Sequence, residues 1–233
     1  MRKYISITKN FYANWLLLLI VFSACQKVVD VNLNSKSEQI VVEGSITDQP
    51  GPYRIKLTKT VNFSETNIFP PVSGAVVRIS DDIGNSETLT ETTPGIYTGS
   101  SLHGTPGRTY TLAIISNGKN YSATSTMSFP VGIDTLTVEK AFFGNTRFIG
   151  LQFQDTAGIK NYYRFIEIIN GVPNKSIFTI DDNFQDGEKI SYTLFSREDS
   201  IKTGDSATVL LQSIDKSVYE YFNLLDQLSN EIG

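Results

Sequence analysis

Cysteine, histidine and tryptophan each occur once in 233 residues, and each scarcity removes a class of function. Transition-metal sites draw mainly on Cys and His. With His103 alone in a Gly/Ser loop and Cys25 as the sole thiol, a site of the usual N/S type has too few ligands. A zinc protease needs paired histidines on a helix, and none are present. Gly-x-Ser-x-Gly, phosphate-loop and dinucleotide patterns are missing as well. A fold with one cysteine must hold without disulfides. Long apolar runs are also lacking. The longest, Trp15 to Phe22, falls well short of the roughly 20 residues that span a bilayer.

That short run carries the clearest signal in the chain. Arg2, Lys3 and Lys9 precede it, and Ser23-Ala24-Cys25 follow, which is the layout of a secretory leader. A cysteine directly after small residues suits lipoprotein processing, in which the thiol takes a diacylglyceryl group before cleavage. Residues 1–24 are therefore expected to be a signal peptide, Cys25 the lipidated mature N-terminus, and 25–38 a polar tether. One acyl chain anchors only marginally, whereas two or three, palmitate among them, hold a protein on the membrane. Removing the leader takes away three basic residues and moves the formal charge from −4 to −7. An acidic, well-mixed surface argues against nucleic acid or an anionic bilayer as an electrostatic partner.

Beyond the tether the hydrophobic period is two. Tyr53, Ile55 and Leu57 alternate with Arg54, Lys56 and Thr58, and similar runs recur every 8–12 residues up to Met127. Pro50-Gly51 has type II turn chemistry, and Asn117-Gly118 supplies the two positive φ values of a type I′ hairpin. Residues 39–130 are expected to be a β-sandwich. Phe129-Pro130-Val131-Gly132 marks a boundary, after which more strands follow, one ending at Asn170-Gly171. Val218, Phe222, Leu225, Leu228 and Ile232 then shift to a 3.6-residue repeat, with Ser217 and Glu220 spaced as a capping box. This predicts one C-terminal helix, about 216–231, closing a second β-rich domain over 131–233.

Three patterns have competing readings. Asp181-Asp182-Asn183-Phe184-Gln185-Asp186-Gly187-Glu188 offers oxygen ligands at alternate positions, but the sixth residue is Asp186 where a calcium loop wants glycine. A polar β-turn is the plainer reading, and no metal or cofactor is expected. Tyr162, Tyr163 and Phe165 would stack on sugars or pack in a core, and strand packing is the commoner use. Asp-Ser/Thr-aliphatic tripeptides occur at Asp134, Asp155, Asp199 and Asp205, more often than composition alone supplies. They resemble the O-glycosylation acceptor motif of Bacteroidetes-type bacteria, which places glycans on Thr135, Thr156, Ser200 and Ser206. The same pairs also simply favour turns.

Phe22-Ser23-Ala24-Cys25 with Lys27–Val31, Ile40–Asp48, Pro71–Val77, Gly107–Tyr110 and Leu211–Tyr219 together carry a family likeness. The chain resembles the Bacteroidetes outer-membrane lipoproteins grouped as domain of unknown function family 4249. Within it, Gly74 to Met127 is similar to the prealbumin-like sandwich of carboxypeptidase regulatory-like domains. The resemblance implies an all-β protein: an Ig-like/prealbumin-like sandwich, then a second β-rich domain with one C-terminal α-helix. It also implies a non-enzymatic accessory beside TonB-dependent outer-membrane receptors, with no functional residue to carry over. A glycan- or peptide-capturing surface protein and a hydrolase with an unrecognised carboxylate pair are the rival expectations. Which side of the outer membrane it faces stays open, because Lys27 precedes Asp30 where a surface-export signal tends to be acidic.

Overall fold

Alternating β-branched, aromatic and polar residues suit a pleated surface with one buried face, and the chain folds accordingly. The structure is a computed structural model that describes residues 38–231 except 63–65, 67, 142, 143, 145 and 197–200. Residues 1–24, the tether up to 37, Cys25, Ser200 and Ile232 lie outside the described residues. Residues 39–60 and the described residues from 69 to 231 fall in one compact unit.

The first half of the large unit holds β1 (Ile40–Gly44), β2 (Tyr53–Lys59), β3 (Val76–Asp81), β4 (Ser86–Thr88), β5 (Thr90–Thr93), β6 (Ile96–Gly99), β7 (Thr109–Ser116) and β8 (Lys119–Thr126). They make two antiparallel four-stranded sheets, ordered β1-β2-β6-β5 and β4-β3-β7-β8. Ile55, Leu57 and Tyr97 from one sheet meet Val77, Ile79, Tyr110 and Ile114 from the other in a shared core. This is a β-sandwich. Two contacts staple it. The Tyr97 hydroxyl donates to Val72 O at 2.9 Å and accepts from Ala75 N at 3.0 Å. Glu87 on β4 accepts the Tyr53 hydroxyl from the facing sheet and the N–H groups of Ser100, Ser101 and Leu102.

The second half holds β9 (Ile133–Lys140), β10 (Arg147–Gln154), β11 (Tyr162–Ile169), β12 (Val172–Pro173), β13 (Phe178–Asp181), β14 (Lys189–Leu194) and β15 (Ala207–Ile214), then α1 (Lys216–Glu231). One sheet runs β14-β10-β9; in the other, β11 pairs with β12, β13 and β15. A second core forms from Ile149, Leu151, Phe153, Ile190 and Leu194 of the first sheet against Tyr163, Phe165 and Phe178 of the other. Phe153 meets Tyr163 edge-on at 4.8 Å, and Phe165 stacks on Tyr192 at 5.0 Å. The all-β expectation with one C-terminal helix stands. The two halves touch where Ser125 donates to Asp215 and Ser128 Oγ donates to Ile214 O at 3.2 Å.

Both Asn-Gly pairs form two-residue hairpins with positive φ at each position, Asn117/Gly118 and Asn170/Gly171. The type II expectation at Pro50-Gly51 fails: Gly51 is not at positive φ, and the Gly51–Pro52 peptide is cis. A type II turn needs ψ near 0° at its third residue, which collides with the ring of a following proline. The helix cap also differs. Asp215 Oδ1 accepts Val218 N–H at 2.8 Å, so Asp215 rather than Ser217 caps α1. Of the described residues of the apolar repeat, only Phe222 faces the body. Val218, Leu225 and Leu228 stay 36%, 39% and 46% exposed. Two aromatic contacts set the docking instead: Arg164 lies 3.9 Å from the Phe222 ring centroid, and Tyr162 lies 5.0 Å from Tyr219.

Candidate functional site

The densest chemistry among the described residues lies where the β10–β11 loop meets the loop after β13. β10 ends at Gln154 and delivers Asp155 into the interior, 4% exposed; β13 likewise delivers Asp182, 3% exposed. With Asp186 they offer three carboxylate oxygens within 4.8 Å of one another. Such an array could bind a hard cation such as calcium, but the oxygens already have donors. Asp155 Oδ1 accepts from the Tyr163 hydroxyl and from Asn161 Nδ2 at 3.2 Å, and Oδ2 from Gly187 N at 2.8 Å. Asp182 accepts from Lys160 Nζ and from Asn161 N at 2.9 Å, and Asp186 from Gly158 N at 2.8 Å.

Lys160 offsets part of the negative charge, reaching Asp181 and Asp182. Burial alone would depress the Lys160 ammonium; its hydrogen bond to Asp182 and the charges of Asp181 and Asp182 outweigh that and raise its pKa. Burial first, then the Asp155 carboxylate, pushes the Tyr163 phenol well above its ordinary value. At the same point the backbones crowd. Gly187 sits at φ +70, and a Cβ there would come within 2.6 Å of Ala157 Cβ. What the arrangement does is lock two loops together through buried, satisfied acceptors.

The run 181–188 forms two consecutive turns, closed by Gln185 N to Asp182 O at 2.8 Å and Glu188 N to Gln185 O at 2.9 Å. Asp155 and Lys160, absent from the sequence reading of that run, complete the cluster from 26 and 21 residues before Asp181. The one available signal was Asp155 itself, which the Asp-Thr pattern assigned to Thr156 instead.

Thr135, Thr156 and Ser206 are exposed, on edge strand β9, on the β10–β11 loop and just before β15. The aspartates before the last two serve turns. Asp155 is the clamp, and Asp205 accepts Lys202 N at 2.8 Å and Asn170 Nδ2 at 2.9 Å. Tyr163 and Phe165 are core residues, 0% and 2% exposed, and Tyr162 packs on the helix. His103 is exposed on the rim of an open cleft of about 440 Å³ that Asp81, Asn85 and Arg108 also line. Its carbonyl accepts the Tyr110 hydroxyl at 3.2 Å. Asp81 Oδ1 accepts Ile83 N and Asn85 N within the β3–β4 turn, and Arg108 lies 3.5 Å from Asp82.

The family model described as Domain of unknown function (DUF4249) matches residues 26–233. The chain belongs to this family. No curated protein and no solved structure matches it. The DUF4249 region therefore takes in both sandwiches, the aspartate clamp and α1.

Proposed function

We propose that this DUF4249 chain is a non-enzymatic lipoprotein of the outer membrane that binds or scaffolds a protein partner in the envelope. A TonB-dependent receptor is the first partner to test. The reading takes the first half as an Ig-like, prealbumin-like module and the second as the domain that presents binding surface. The observation that carries it is the segment Trp15 to Cys25: a short apolar run after basic residues, ending on the chain's one cysteine. DUF4249 membership is compatible with it. Among the described residues no helix is long and apolar enough to cross a membrane. Attachment at Cys25 holds the body to the bilayer in this proposal.

The test is fractionation of native cells. Wild-type protein is expected in the membrane pellet, and Cys25→Ala in the soluble fraction. Retention of Cys25→Ala in the pellet would refute the anchor. Cross-linking from native membranes then names the partner, and a TonB-dependent receptor is the expected product.

A further inference from the structure

The two turns of 181–188 have the same architecture with different residues at the strained position. In the second turn the third residue is Gly187, at φ +70; in the first it is Phe184, at φ +66. Positive φ is inexpensive for glycine and unfavourable for a bulky side chain, so a phenylalanine held there is an outlier that calls for a reason. Packing is not that reason, because Phe184 is 105% exposed. Nor is the loop slack. Its base is fixed by Asp182 to Asn161 N, Asp155 to Gly187 N, and Asn183 to Asp181.

The loop clamped to it carries a second apolar tip, Ile159, 51% exposed and flanked by Gly158, which binds Asp186, and Lys160, which binds Asp182. Exposed acids Asp186 and Glu188 follow Phe184 by two and four residues, while Lys160 is already engaged by Asp181 and Asp182. A rigid aromatic on a preorganised loop is what a binding hot spot looks like before it finds its pocket.

We propose that this loop end is a protein-docking tip: Phe184, with Ile159 on the neighbouring loop, enters an apolar pocket whose rim carries lysine or arginine. The acidic border selects such a rim and disfavours insertion into an anionic bilayer, which attracts basic faces. The aspartate clamp then has a purpose beyond stability, since it orders the tip before the partner arrives. The inference deepens the binding reading above and rests on it.

The experiment places p-benzoylphenylalanine at position 184 of the full-length, lipidated protein in its native membranes. A matched protein carries it at Ile83, which is 61% exposed on the β3–β4 turn of the other sandwich. The expected result is one protein adduct from position 184 and none of that mass from 83. Its cross-linked peptide should hold Lys or Arg, and the yield should fall at least about 10-fold in Glu188→Lys. A lipid adduct, an adduct shared with position 83, or indifference to Glu188→Lys overturns the proposal. Phe184→Gly gives an independent check: relieving the strain should raise the melting temperature of the purified protein by about 2–4 °C. A fall would make Phe184 a structural residue and end the idea. A lysine-reactive cross-linker on the same membranes separates the two levels. A partner found by it but not from position 184 removes the tip alone; a partner found by neither removes the binding reading too.

Discussion

Asp155 is the residue on which the loop end of the second sandwich depends. Replacing it by alanine strands the Tyr163 hydroxyl and the Gly187 N–H and leaves Asn161 Nδ2 only its bond to Thr156 O. Leaving buried donors without an acceptor costs about 2–4 kcal/mol in total. Thermal unfolding followed by circular dichroism should show Asp155→Ala melting about 5–15 °C lower. A second residue gives a pH signature. Burial opposes ionisation of Glu87, but the Tyr53 hydroxyl and the N–H groups of Leu102, Ser100 and Ser101 outweigh it and bring its carboxyl down from 4.5 to about 2. A carboxyl depressed on folding contributes stability that is fully present above pH 4.5 and is lost as pH falls from there towards 2. Glu87 is half-buried, so after partial solvent screening the amount is on the order of 1 kcal/mol. Glu87→Gln should flatten the fall in stability over that window and match wild type at pH 2. Neither residue announces itself in sequence. Asp155 looks like any Asp-Thr turn, because the loop it binds lies some 30 positions away. Glu87 sits in a short polar strand whose partners come from the loop after β6.

At the scale of elements, α1 separates two apolar faces. Phe222 under Arg164 and Tyr219 beside Tyr162 hold it to β11, while Tyr221, Leu224 and Leu228 remain 61%, 57% and 46% exposed. Phe222→Ala should therefore cost about 1–3 kcal/mol in urea unfolding, whereas Leu224→Lys should stay within about 0.5 kcal/mol of wild type. Equal losses would mean the helix packs through the other face. The limits of this helix were legible, since its period and flanking polar residues are local properties. Its docked face was not, because ring-on-ring and cation–ring contacts with β11 depend on which side chains that strand turns outward. The hairpins divide the same way. Asn117-Gly118 and Asn170-Gly171 encode their own geometry, whereas the pairing of β11 with β13 and β15 joins strands whose sequences say nothing of each other.

Across the whole molecule, two hydrophobic clusters fall on either side of 128–132, and each lies between two sheets. Period-two alternation makes such a body readable as all-β without any homologue. Function is less readable, because what distinguishes this chain is assembled from distant positions: a clamp made by 155, 160, 182 and 186, and an exposed aromatic at 184 whose backbone strain no sequence pattern marks. Under the proposed function, where the molecule sits is decided at the other end of the chain, by acylation of Cys25. Mass spectrometry of the mature N-terminal peptide from the native organism tests it directly. The account predicts a peptide that begins at Cys25 and carries two or three acyl chains; an intact leader, or an unacylated Cys25, would contradict it.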